Sequence, residues 1–211
     1  MKTGIFGGTF NPPHIGHLRL AEEASERYGL VKIIFVPCHQ PPHKDSSNVP
    51  ASSDRLNMTT LACAGNHRFE VSGLELNFAA PSYTVNTLKH FRAERVNDIY
   101  FIMGSDSLSE ISTWKDYENL FILANFIVVD RPGISFSEAW NNIPIKLLKN
   151  FSQDHDHFTH TSGTLMIPSS IKGLDISSTE IRTLVKNGLS AKYLTPDPVL
   201  DYIREHNLYS F

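Results

Sequence analysis

Short apolar runs rich in β-branched and aromatic residues recur along this chain, and longer amphipathic runs separate them. Two of the short runs, IIFV (33–36) and FIVV (126–129), contain no polar residue at all. A strand with one face in water alternates apolar with polar residues, whereas a strand that is apolar throughout has both faces covered. The other strand-like runs are TGIFGG (3–8), FEVSGLEL (69–76), DIYFIMGSD (98–106) and TLMIPSS (164–170). Between them, GHLRLAEEASERYG (16–29) sets Leu18, Ala21 and Ala24 against Arg19, Glu22, Glu23 and Glu26, a helical period stopped by Gly29. SSDRLNMTTLACAG (52–65), SYTVNTLKHFRAE (82–94) and DYENLFILA (116–124) read as further helices, the first of them capped by Ser52 or Ser53. In LDISSTEIRTLVKNG (174–188), Ser177 and Glu180 form a capping box and Gly188 ends the helix. A last helix starts with Thr195 as cap and Pro196 in first position, and runs to about residue 207.

Strands that alternate with helices form right-handed βαβ units around a mostly parallel sheet. The expectation is one domain over residues 1–211: a doubly wound α/β sheet with helices on both faces and a small helical part over about 175–211. Ligands of such sheets sit beyond the carboxyl ends of the strands. That rule gathers GGTFNPPH, PCHQPPHK, MGSDS and DRPG around one rim. Residues 133–163 are less regular, and the polar run SQDHDHFTHTSG (152–163) reads as a solvated surface loop. Its His155, His157 and His160 have no second ligand cluster to close a metal site, so no protein-held metal is expected.

The formal net charge of −3 gives no global basic field for long nucleic acid or an acidic membrane surface. Two cysteines, Cys38 and Cys63, are too few for a disulfide framework. The N-terminus lacks the basic-then-apolar pattern of a signal peptide, and LFILANFIVV (120–129) is far too short to span a bilayer. The expected setting is cytoplasmic, with no membrane or nucleic-acid partner; a homo-oligomer is compatible with all of this.

The first strand ends in Gly7-Gly8, where the backbone can turn sharply and a ligand can come close. The next helix aims its N-terminus, with free N–H groups and positive dipole, at the same rim. His14 and His17, three apart in or beside its first turn, both face that rim, where their N–H groups can donate to phosphate and a proton would add charge. The stretch is neither a Walker A loop nor Gly-x-Gly-x-x-Gly, and no Glu follows His14 as a zinc protease requires. DISSTEIR (175–182) supplies a second helix start, with serine hydroxyls and Arg182 able to clamp phosphates. Two phosphate-ready helix starts suggest a nucleoside triphosphate between them.

GGTFNPPHIGH (7–17) together with ISSTEIR (176–182) resembles the signature pair of the nucleotidyltransferase superfamily that carries a (T/H)xGH motif. PPHK (41–44), SYTVNTL (82–88), GSDSL (104–108), the Trp114 segment and YLTPDPVLDYIREHNLY (193–209) extend the likeness, in the same order, to the bacterial nicotinate-nucleotide adenylyltransferase family. The resemblance covers most of the chain and is weakest over residues 133–163. Asn11 and Asn86 depart from it, standing where Asp is usual; Asn11 removes a charge near the triphosphate but keeps hydrogen bonding.

The resemblance implies a Rossmann-like fold and adenylyl transfer from ATP, with Mg²⁺, to nicotinate mononucleotide, releasing pyrophosphate. It implies that His14, His17 and Arg182 are catalytic. ATP would be bound by Gly7, Gly8, Thr9, Phe10, His14, His17, Gly104, Asp106, Ser177, Ser178, Thr179 and Arg182, and the mononucleotide by Lys44, Thr84, Asp106 and Trp114. Plainer readings exist for the last four: a loop lysine, a cap threonine, a cap aspartate and a packing tryptophan. Two alternatives stand beside this reading: the same chemistry on nicotinamide mononucleotide or another phosphate acceptor, and a nucleotide-binding module without catalysis.

Overall fold

A computed structural model describes residues 1–40, 49–78, 81–96, 98–171 and 173–210. Its strands are β1 (Lys2–Gly8), β2 (Lys32–Pro37), β3 (Phe69–Val71), β4 (Asp98–Gly104), β5 (Asn125–Val129), β6 (Phe151–Asp154), β7 (His157–His160) and β8 (Leu165–Ser169). They form one sheet in the order β3-β2-β1-β4-β5-β8-β7-β6. The pairings from β3 to β8 are parallel, and β7 and β6 add antiparallel strands at one edge. The order reverses between β1 and β4, so a crevice opens at their carboxyl ends, where Gly8 lies level with Pro37 and Gly104 with Val129.

The central strands are apolar throughout because they feed two cores by turns. Ile5, Ile34, Val36, Phe101, Met103, Phe126 and Val128 face one core, which also holds side chains of α3 (Thr84–Ala93), α4 (Ser105–Ser109), α5 (Tyr117–Leu123) and α6 (Phe136–Asn141). Phe6, Ile33, Phe35, Tyr100, Ile102, Ile127 and Val129 face the other, packed by Leu20, Ala21 and Ala24 of α1 (Ile15–Tyr28). This is the expected doubly wound arrangement with helices on both faces. α2 (Ser52–Cys63) packs on α9 (Asp197–Glu205) through Met58, Ala62, Val199 and Ile203. Among the described residues, no helix is long and apolar enough to cross a membrane.

Several local expectations are corrected. β3 stops at Val71, because Ser72 Oγ accepts the Leu74 N–H and a 3-10 turn follows over Leu74–Asn77. The supposed surface loop is the β6–β7 hairpin, turning at His155 with φ 49°. Aromatic packing drives it: the Trp140 ring lies 4.1 Å from Phe158 and 5.4 Å from Phe151. His160 is buried there, with Nδ1 2.8 Å from Ser162 Oγ. Upstream, residues 133–150 hold α6 and α7 (Ile145–Leu148). At α2 neither serine caps; Ala51 is the N-cap and Ser52 Oγ lies 3.0 Å from His39 Nδ1. At α8 (Ser178–Lys186), Ser177 Oγ accepts the Glu180 N–H at 3.1 Å, which is half of the expected box. Thr195 does not cap α9; Pro196 is its N-cap, and the threonine hydroxyl is engaged elsewhere.

Candidate active site

A cavity of about 670 Å³ lies at the carboxyl ends of β1 and β4. Gly7, Gly8, Thr9, Phe10, His14, His17, Thr84, Gly104, Asp106, Trp114, Ser177, Ser178, Thr179 and Arg182 all line it. Lys44 lies outside the described residues. Asn86, by contrast, is exposed on α3 and is not among the lining residues.

His14 is the N-cap of α1, and its backbone N–H donates to His17 Nδ1 at 3.2 Å. That bond assigns the tautomer of His17: Nδ1 accepts, so Nε2 carries the hydrogen and is a donor. The two rings lie 3.6 Å apart, centroid to centroid. Burial, reinforced by the Arg131 charge, holds His14 down at about 4, and burial together with His14 and Arg131 holds His17 well below its ordinary value. Both imidazoles are therefore neutral near pH 7. They offer N–H groups rather than the positive charge that protonation would have added. Gly16 makes this close approach possible, because a Cβ there would sit 3.0 Å from His14 Nδ1. The α1 terminus is less open than expected, since the Ile15 N–H donates to Leu194 O at 2.9 Å.

Pro12 and Pro13 have no N–H, so the loop between β1 and α1 cannot hold itself by backbone pairing. The C-terminal helical part grips three consecutive carbonyls instead. Arg182 Nη1 donates to Asn11 O (2.8 Å), Ser178 Oγ to Pro12 O (2.8 Å) and Thr195 Oγ1 to Pro13 O (2.7 Å). Arg182 Nη2 also reaches Thr179 Oγ1 at 3.1 Å. The hydroxyls of Ser177 and Ser178 are thus committed to protein partners. The N–H groups of Ser178 and Thr179 at the start of α8 have no partner among the described residues, so that terminus has donors it could offer to an anion.

Arg131 is one of the cavity residues that sequence reasoning did not single out, although DRPG stood on the predicted rim. Its backbone N–H donates to Ser105 Oγ at 2.9 Å, and its Nε is buried without a hydrogen-bond partner in the described residues. A Cβ on Gly104 would sit 3.0 Å from Arg131 Cγ and Nε and would collide with the Asp106 carboxylate. Glycine there lets a cation and a carboxylate approach the same strand end.

The lining also includes aromatic residues. Trp114 stands edge-on to Phe101 at 6.4 Å, and Lys115 Nζ lies 4.6 Å over the Tyr83 ring. Thr84 begins α3. Behind it, Glu75 is buried and accepts from Thr87 Oγ1 at 2.5 Å; burial pushes its carboxyl up against the opposing pull of Thr87, Ser82 and Arg55. Arg55, 1 % exposed, donates to Thr9 O (2.9 Å), Cys38 O (2.7 Å), His39 O (2.9 Å) and Pro50 O (3.2 Å). It fastens the loops after β1 and β2 to each other. Nothing in its sequence neighbourhood marks this arginine, because its partners are backbone carbonyls distant along the chain.

Residues 5–184 match the cytidylyltransferase-like family model. The chain is 42 % identical over 99 % of its length to a protein named as a nicotinate-nucleotide adenylyltransferase in Geobacter sp. (strain M21), covering 98 % of that relative. A protein of the same name in Syntrophotalea carbinolica is 43 % identical, with 99 % and 97 % covered. The fold is similar to that of the Plasmodium falciparum nicotinic acid mononucleotide adenylyltransferase complexed with NaAD. That match has a TM-score of 0.74 and 23 % identity, over all of this chain and 98 % of the other.

Proposed function

The chain belongs to the nicotinate-nucleotide adenylyltransferase family, and from that premise we propose that it joins ATP to nicotinate mononucleotide, giving nicotinate adenine dinucleotide and pyrophosphate. The observation that carries this reading is one cavity whose lining combines His14, His17, Arg131 and Arg182, groups suited to phosphate, with Thr84 and Trp114, groups suited to a flat ring.

An oxygen of the mononucleotide phosphate attacks the α-phosphorus of ATP in line. The new P–O bond forms as the bond from the α-phosphorus to the pyrophosphate oxygen breaks. A phosphate is already ionised at neutral pH, so no general base is needed, and catalysis is positioning plus charge stabilisation. His17 donates from Nε2 and His14 from its own ring N–H; as neutral groups they leave the neutralising charge to Arg131 and Arg182. Arg182 is already fixed on Asn11 O, so its planar fork reaches the β and γ phosphates without reordering. Asp106, exposed to the cavity, accepts from ribose hydroxyls, and Trp114 stacks on the pyridine ring. Lys44 is the candidate for the mononucleotide phosphate on residue type alone.

Among the described residues, no group of three or more His, Cys, Asp or Glu side chains is arranged to hold a metal ion. Magnesium would enter this site as part of Mg-ATP, with no carboxylate cage asked of the protein, and would supply positive charge to offset that of the leaving pyrophosphate.

The deciding measurement is pyrophosphate release by the purified protein with Mg-ATP and, in turn, nicotinate mononucleotide, nicotinamide mononucleotide and pantetheine phosphate. The acid mononucleotide should give the highest kcat/KM. A clear preference for the amide overturns the acceptor assignment, and no release with any acceptor overturns catalysis.

A further inference from the structure

Tyr209 lies far along the chain from the β1–α1 loop, yet its hydroxyl donates to Asn11 Oδ1 at 2.6 Å. Asn11 is only 7 % exposed, and the surface it keeps lines the cavity. A primary amide has two chemically opposite ends, and a bond to one end decides where the other points. With Oδ1 held by Tyr209, Nδ2 has no hydrogen-bond partner among the described residues. On the same residue, the backbone carbonyl is held 2.8 Å from Arg182 Nη1. The amide therefore stands beside a guanidinium at a site built for anions. Burial pushes the Tyr209 hydroxyl well up, against the opposing pull of Arg182 and Arg55, so it remains a donor across the working pH range.

We propose that Asn11 binds the triphosphate of ATP through Nδ2, next to Arg182, and that Tyr209 is the positioning residue that fixes the amide in that orientation. The assignment rests on the adenylyl-transfer reading above and adds two residues to its ATP side. An aspartate at position 11 would accept the tyrosine hydroxyl equally well but would have no N–H to give. Asparagine makes this edge of the loop a donor rather than a negative charge facing phosphate. Loss of the Tyr209 hydroxyl leaves the amide free to turn its oxygen toward the phosphates, a penalty felt by ATP and not by the acceptor.

The test is a double-mutant cycle on the full-length protein with Tyr209→Phe and Asn11→Ala, reading kcat and both KM values. Tyr209→Phe should lower kcat/KM for ATP about fivefold, the scale of one hydrogen bond, and leave KM for nicotinate mononucleotide within about twofold. Asn11→Ala should lose about tenfold on the ATP side, and adding Tyr209→Phe to it should cost nothing more. Equal losses on both substrates, or additive effects of the two substitutions, overturn the proposal. Binding of α,β-methylene-ATP to each folded variant, measured by calorimetry, repeats the cycle without turnover: weaker analogue binding in both single variants, with no further loss in the double, supports the assignment, and unchanged binding overturns it. If the wild type binds the analogue but releases no pyrophosphate, the reaction assignment fails, and the calorimetric cycle still decides on Asn11 and Tyr209.

Discussion

The buried, closely paired histidines make the stability of this fold depend on acid in a defined way. An ordinary histidine in the unfolded chain titrates near 6.5, whereas His14 in the folded protein is held at about 4 by burial and by Arg131. Between those two values the unfolded chain binds a proton that the native state refuses, so stability is present above pH 6.5 and falls as the pH drops toward 4. At about 1.4 kcal/mol per tenfold change in proton affinity, the full effect is roughly 3 kcal/mol. About 2 kcal/mol of it is lost between pH 7 and pH 5. His17 is lowered too, partly by His14, so it adds to the loss with the same sign. Urea unfolding of wild type and His14→Gln at pH 7, 6 and 5 reads this contribution together with the part of the His17 shift that His14 causes, because the remaining titrating groups are common to both proteins. The wild type should lose about 2 kcal/mol more than the variant over that range. Parallel pH profiles would refute the neutral, buried assignment of the pair, and with it the idea that they meet phosphate as uncharged donors.

Replacing Arg131 by Ala should raise KM for ATP about tenfold or more while leaving stability nearly unchanged, since the side chain brings a charge to the cavity and its Nε has no described partner; an unchanged KM would remove it from the ATP side. Replacing Arg55 by Lys should cost about 3 kcal/mol in urea unfolding, because an ammonium cannot serve four separated carbonyls from one buried position; a loss below about 1 kcal/mol would show that the grip matters little. His17→Ala should lower kcat about a hundredfold or more in steady-state pyrophosphate release, and near wild-type turnover would exclude its Nε2 hydrogen from the transition state.

The sheet was legible because its signal is local. Runs such as IIFV and FIVV carry a pattern that only a strand covered on both faces satisfies, and the structure feeds them into two cores alternately. The β6–β7 hairpin was not legible, because its alternation is hidden in a polar outer face and its apolar side depends on Trp140, some ten residues upstream. Caps failed in the same way: a hydroxyl at a helix start reads as a cap, but Thr195 donates to Pro13 O and Ser52 lies against His39. Within the site, the two glycine- and serine-rich signatures marked their own segments, and the cavity gathers both. Arg131 and Tyr209 lay in DRPG and YLTPDPVLDYIREHNLY, which marked the segments but not these side chains, and Glu75 carried no mark, because each makes its contacts with residues outside its own segment.

Arg55 also bears on which parts of the site can move. Its guanidinium ties Thr9, after β1, to Cys38 and His39, after β2, across a buried span that leaves no slack for water to replace a broken contact. These two segments can only travel together, as one wall. If the cavity narrows around its substrates, Thr9, Cys38 and His39 move as one unit, and any relative displacement within the lining must come from residues that Arg55 does not hold.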